Sequence, residues 1–206
     1  MRTVVLATRS AGKLRELRPI FTAAGVRVLD LGEVGVAESR DEAAIESFET
    51  FEENALAKAR YFFDRCGGLD VVADDSGLVI EALGGEPGVR SKRWSERPDL
   101  EGHMLDHANN EQLASRMQGM TNRRARFVCV AAWRGEQGEA SARGDVLGRI
   151  EERASGVHGF GYDPYFFAEE LGMTLADATT EQKRIVSHRG RAFDALIATL
   201  RRRGVF

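Results

Sequence analysis

Val72-Ala73-Asp74-Asp75-Ser76-Gly77-Leu78-Val79-Ile80 sets two adjacent carboxylates between two apolar runs and follows them at once with Ser and Gly. Val71 and Val72 read as the end of a buried strand, and Leu78 to Ala82 as the next one. Asp, Ser and Gly are common choices for a tight turn between strands. Asp is also a poor strand residue. If the backbone stays extended instead, Asp74 and Asp75 point to opposite faces. Two acids against a buried strand end favour a working site over a plain turn. Carboxylate oxygen suits hard divalent cations, and a carboxylate can take a proton from water.

Working outward toward the N-terminus, Phe51 to Cys66 reads as a helix with Ala55, Leu56, Ala59, Phe62 and Phe63 on its apolar stripe. Glu49, Glu52 and Glu53 at its start complement the helix dipole, and Asn54 and Lys58, four apart, share one face. Residues 32–50 are acidic and irregular. Thr3 to Ala7 reads as a buried strand and Val26 to Leu31 as a second. Between them a helix carries Leu14, Leu17, Ile20, Phe21 and Ala24 and stops at Gly25. The polar turn Thr8-Arg9-Ser10-Ala11-Gly12-Lys13 joins that first strand to its helix, a junction whose N–H groups and positive dipole end suit a phosphate. Ser10 as an N-cap beside an exposed Lys13 is the plainer reading of the same residues, and no Walker loop is present.

Toward the C-terminus, residues 84–98 form a loop and His103 to Met117 a helix. Arg124 to Trp133 and Glu139 to Ile150 read as an antiparallel pair. In the glycine-rich loop 156–164, Gly159-Phe160-Gly161-Tyr162-Asp163-Pro164 offers an aromatic face and a carboxylate, or equally a hydrophobic plug with an Asp-Pro turn. Thr180 to Val186 and Arg189 to Arg203 read as helices. Lys183, His188 and Arg189 place donors within seven positions that suit a base carbonyl or a phosphate. Helices and strands interleave, so the class is α/β.

The bulk numbers exclude more than they assign. A chain of 206 residues suits one good-sized domain or one with two lobes. A net charge of −3 offers no basic field for nucleic acid. Two cysteines without a Cys-x-x-Cys spacing argue against zinc and against a disulfide scaffold, and fit a reduced, cytoplasmic setting. No stretch approaches the length of a membrane span.

Taken in order, Leu6-Ala7-Thr8 with Gly12-Lys13, Phe51 with Glu53-Asn54-Ala55 and Lys58-Ala59-Arg60, Ala73 to Leu78, Ala82 to Gly85 with Pro87-Gly88, Gly159 to Pro164 and Ser187-His188-Arg189-Gly190 resemble the inosine triphosphate pyrophosphatase, or Ham1-like, family over nearly the whole chain. The resemblance implies a single pyrophosphatase domain over 1–206, an elongated two-lobed mixed-sheet fold with its active site in a cleft between lobes, and a homodimer. It implies Mg²⁺-dependent hydrolysis of ITP, dITP and XTP to the monophosphate and pyrophosphate. By the same resemblance Thr8, Arg9, Ser10, Ala11, Gly12, Lys13 and Lys58 meet the triphosphate. Glu46 and Asp75 hold Mg²⁺, with Asp75 the base and Asp74 its helper. Ser76, Phe160, Gly161, Tyr162 and Asp163 contact substrate, and Lys183, His188 and Arg189 read the base. Donors there match a 6-oxo purine and face the amino group of adenine unfavourably. Maf-like pyrophosphatases acting on pyrimidine nucleotides are the rival family. The chain departs from the pattern at Thr8-Arg9-Ser10, where Thr-Gly-Asn is usual, at Glu46-Ser47-Phe48, where a Gly is lost, and at Lys92.

Overall fold

The computed structural model describes residues 2–206. Among them lie seven strands in one sheet, in the order β2 (Arg27–Asp30), β1 (Thr3–Leu6), β3 (Asp70–Ile80), β4 (Arg124–Gly135), β5 (Gly138–Ile150), β6 (Phe166–Ala168), β7 (Met173–Thr174). The chain divides into two compact units. One comprises the described residues through Asp75, Cys129–Gly144 and His188–Phe206, and the other Ser76–Val128 and Asp145–Ser187.

In the first unit β1 (Thr3–Leu6) pairs in parallel with β2 (Arg27–Asp30) on one side and with β3 (Asp70–Ile80) on the other. Helix α1 (Ala11–Ala23) makes the crossover from β1 to β2, and α2 (Phe51–Phe63) lies between β2 and β3. The chain therefore leaves β1 in one direction and returns to its other side through β3. Such a reversal of strand order is where open α/β sheets hold ligands, outside the carboxyl ends of the strands. The loop after β1 and the middle of β3 both lie at that end, since Leu6 stands opposite Val72 and Ala7 N–H donates to the Val72 carbonyl at 2.8 Å.

Alternation along the strands sorts their neighbours. Val4, Leu6 and Val72 face a core with Leu17, Ile20 and Phe21 of α1 and Ala192, Phe193, Leu196 and Leu200 of α5 (His188–Arg202). Phe21 and Phe193 meet edge to face, with ring centroids 5.7 Å apart. The start of α5 is pressed onto β5 (Gly138–Ile150) at Gly144, where a methyl group would run into the His188 carbonyl and the Ala192 N–H.

The second unit has its own core, with Leu78, Ile80, Trp94, Leu113, Phe127, Val146, Tyr162 and Phe166 among its members. Helix α3 (Gly102–Arg116) and helix α4 (Thr180–Val186) belong to it, as do two short strands, β6 (Phe166–Ala168) and β7 (Met173–Thr174), which the sequence pattern did not mark. β4 (Arg124–Gly135) and β5 are neighbours joined by the two-residue turn Glu136-Gln137.

The main departure from expectation is at the two acids. The expected break between a strand ending near Val72 and another beginning at Leu78 is absent, and β3 runs unbroken from Asp70 to Ile80 with both carboxylates nearly fully buried. Turn-forming residue types lose to the sheet here because each acid finds compensating groups on its own face.

Candidate active site

Asp74 and Asp75 open the site from the middle of β3, on opposite faces of the strand. On the α1/α5 face, Lys13 Nζ lies 2.9 Å from Asp74 Oδ2 and Arg189 Nε lies 3.4 Å from the same oxygen. The Cys129 thiol stands 3.8 Å from it as well. Arg189 also forms an ion pair with Glu16 of α1. Burial alone would raise the Asp74 pKa. The cations of Lys13, Arg189 and Lys58 outweigh that and hold its carboxyl well below the usual carboxylate range.

On the other face Asn54 Nδ2 donates to Asp75 Oδ2 at 3.0 Å. Burial pushes the Asp75 carboxyl up to about 6, against the pull of Lys58 and with the push of Glu46. Lys58 stands among these acids. It pairs with Glu46 and donates to the Asp74 backbone carbonyl at 2.8 Å. Desolvation lowers the Lys58 pKa, but the charges of Glu46, Asp74 and Asp75 raise it further, so it remains a cation. Adjacent carboxyls thus hold different proton affinities, the arrangement that gives acid–base work to one and fixed charge to the other.

Local sequence explains how the parts are held. Thr50 caps α2 by accepting from Glu53 N–H, and α2 then projects Asn54 and Lys58 one turn apart toward β3. Asn54 is nearly fully buried and also exchanges hydrogen bonds with the backbone of Phe48, at 3.0 and 3.2 Å, tying the approach segment to the helix. Ser10 is the N-cap of α1 and accepts from Lys13 N–H, while Thr8 Oγ1 accepts from Ser10 N–H at 3.2 Å. Ala11 and Gly12 form the first helical positions, so the positive end of α1 lies at the loop that follows β1. The N-cap reading of Ser10 and the anion-site reading of the loop are compatible. Lys13, read as exposed in the plainer account, is instead drawn onto Asp74. Arg9 turns to Glu42 rather than standing open in the loop, with its Nε and Nη2 at 3.2 and 2.7 Å from the two carboxylate oxygens.

In the second unit the loop before β6 builds a separate cluster. Phe160 N–H donates to Asp163 Oδ2 at 2.8 Å, and Lys183 Nζ, from α4, pairs with that oxygen at 2.6 Å. The Lys183 ammonium also sits 4.9 Å from the centre of the Phe160 ring. A side chain at Gly159 would collide with the Asp163 carboxylate. Gly161 is fixed on both sides, its N–H to Asp106 at 2.9 Å and its carbonyl to Asn110 at 2.9 Å. The result is a half-buried aromatic face with a buried ion pair beside it. Tyr162 points away into the core and donates to the Ser91 carbonyl at 2.7 Å, so it serves the loop's packing rather than offering its hydroxyl. Ser76 follows Asp75 in β3 and is partly buried.

The expected donor trio divides between the units. Lys183 engages Asp163, whereas Arg189 engages Asp74 and Glu16, and His188 is buried beside Arg189 in the first turn of α5. The sequence reading assigned no role to Asn54, Glu16 or Cys129. The four-residue spacing of Asn54 and Lys58 was the one visible signal. Glu16 and Cys129 meet the site from positions far along the chain, where no local pattern marks them.

Around β3 of the first unit, the named cations Lys13, Lys58 and Arg189 face the carboxylates Asp74, Asp75, Glu46 and Glu16. A polyphosphate meets a surplus of acid there unless a divalent cation arrives with it. Among the described residues no group of three or more His, Cys, Asp and Glu could enclose a metal. Mg²⁺ needs only one or two protein carboxylates, the remaining positions being filled by water and substrate phosphate, and Glu46 and Asp75 are carboxylates of the right chemistry for it.

The family profile described as the Ham1 family matches residues 4–199. A dITP/XTP pyrophosphatase of Burkholderia pseudomallei is 43% identical over 200 residues, covering 96% of this chain and 92% of its own length. One of Bordetella parapertussis is 42% identical over 207 residues, covering 99% and 93%. Among solved structures, the Ham1 protein of Staphylococcus aureus aligns with a TM-score of 0.81 at 34% identity, over 98% of this chain and all of its own. That of Coxiella burnetii aligns with a TM-score of 0.82 at 30% identity, over 98% and 100%.

Proposed function

Since the chain belongs to the Ham1 family, we propose that it is a nucleoside-triphosphate pyrophosphatase that clears the deaminated purine nucleotides ITP, dITP and XTP, using Mg²⁺. The observation that carries this reading is the split pair Asp74 and Asp75, one held ionised by cations and the other raised to about 6. Relatives named dITP/XTP pyrophosphatase, matched over almost their full length, support the substrate class.

The reaction adds water across the anhydride between the α- and β-phosphates. One proton of that water passes to Asp75, and pyrophosphate leaves from the nucleoside monophosphate. Without metal the Asp75 carboxyl lies near 6, ionised at neutral pH, and a carboxylate there can accept that proton. Lys13 and the first turn of α1 offer charge and N–H groups to the phosphates. Asp74 keeps Lys13 and Arg189 in place. Bound Mg²⁺, on Glu46 and Asp75, would neutralise phosphate charge. In the second unit, Phe160 offers a face on which a purine can stack, and the Lys183 ammonium beside it is a donor suited to a 6-oxo group.

Product analysis tests the reaction type. With ITP and Mg²⁺, the account expects inosine monophosphate and pyrophosphate in equal amounts, and none when EDTA is added. Release of orthophosphate and a diphosphate would place the cleavage at the wrong anhydride and remove the proposal.

A further inference from the structure

Arg9 lies in the loop that follows β1, where a cation is easily taken for a phosphate ligand. Its contacts point elsewhere. The guanidinium grips the Glu42 carboxylate with two nitrogens, at 2.7 and 3.2 Å, and its third nitrogen donates to the Val36 carbonyl at 3.0 Å. The Arg9 side chain is 30% exposed and that of Glu42 16%. Glu42 sits inside the short turn Arg40–Ala44, where its side chain also accepts from Ser39 N–H at 3.2 Å and its carbonyl accepts from Ile45 N–H. Glu46 follows at once and pairs with Lys58. Two contacts therefore run from the β1–α1 loop to Glu42, and a third to Val36, at the two ends of the segment that leads to Glu46.

We propose that Arg9 is a positioning residue, which clamps the 36–46 segment to the β1–α1 loop through Glu42 and so fixes the Glu46 carboxylate at the reaction site. The inference rests on the reading of Glu46 as a group of that site. A planar guanidinium suits the task, since it makes two parallel bonds to one carboxylate and keeps a third donor for a carbonyl. Lysine keeps the charge but cannot make that fork. The Arg9–Glu42 pair is partly open to solvent, so its worth as bulk stability is small. Its effect is on where the segment lies.

Arg9→Lys, Arg9→Gln, Glu42→Gln and the double variant Arg9→Gln/Glu42→Gln decide the matter, read by hydrogen exchange over residues 39–46 and by the kcat and KM for ITP. A clamp predicts faster exchange at 39–46 in all the variants, including Arg9→Lys. It predicts a fall in kcat of about 10- to 100-fold with little change in KM. The double variant loses no more than either single one. A direct phosphate contact predicts the reverse: Arg9→Lys near the parent in turnover, Glu42→Gln silent, and the KM for ITP rising with Arg9→Gln alone. Unchanged exchange at 39–46 overturns the clamp whatever the turnover. If the parent releases no pyrophosphate from ITP while exchange responds as expected, the clamp stands and the proposed reaction fails.

Discussion

Asp75 carries the sharpest consequences at the scale of single residues. Asp75→Asn keeps the size of the side chain and its hydrogen bond with Asn54, but removes the proton acceptor. Turnover should fall by about 10²- to 10⁴-fold with the far-UV circular dichroism unchanged, and near-parent turnover would remove Asp75 as the base. The same variant has an opposite effect on stability. Burial raises the Asp75 pKa from 3.8 to about 6 in the folded protein. Its contribution to stability is therefore complete below about pH 4 and is lost as pH rises through about 6. That loss amounts to about 3 kcal/mol, at ~1.4 kcal/mol per pH unit between the two values. Asp74 runs the other way, since its lowered pKa gives stability that is present at neutral pH and lost in acid. Metal-free Asp75→Asn should accordingly melt above the metal-free parent at pH 8, with the difference closing toward pH 4. A lower melting point than the parent at pH 8 would mean that burial does not strain the ionised carboxylate.

At the scale of elements, the helices that seat the site depend on two local devices, the Thr50 cap of α2 and the close approach of α5 to Gly144. Gly144→Ala inserts a methyl group against the His188 carbonyl and the Ala192 N–H. The start of α5 must then shift, at a cost of about 1–3 kcal/mol in urea unfolding, and Arg189 shifts away from Asp74 with it. Turnover should fall along with stability, whereas a stability loss with full turnover would separate α5 from the chemistry. Most elements were legible from periodicity: α1, α2, β1 and the whole of α4 lie where the apolar spacing puts them. The unbroken β3 was not legible, because Asp-Asp-Ser-Gly is turn chemistry by local rules. What straightens it comes from Lys13, Arg189, Asn54 and Lys58, on three different helices. β6 and β7 were missed for the ordinary reason that strands of three and two residues have no period to read. The candidate site was visible in the sequence as a set of motifs. Its pairings were not, and the Arg9–Glu42 grip is the clearest case, since nothing in Thr8-Arg9-Ser10 says that the Arg turns to a segment 33 positions away.

For the whole molecule, each unit has its own apolar core and its own buried ion pairs, one set around Asp74 and the other around Asp163. The chain's net charge of −3 and the surplus of acid around β3 give no general attraction for a polyphosphate, and on the proposed reading a divalent cation supplies it. On the same proposal, choice among nucleotides falls to Lys183 and the Phe160 face, which suit an oxygen at the purine 6-position and leave an amino group there without a partner. The most direct measurement is pyrophosphate release from ITP, XTP, GTP, ATP and dTTP, each with Mg²⁺ and with EDTA. The account predicts Mg²⁺-dependent release from ITP and XTP that exceeds release from ATP and dTTP by at least about 10²-fold, and none in EDTA. Comparable release from ATP, or activity confined to dTTP, would contradict it.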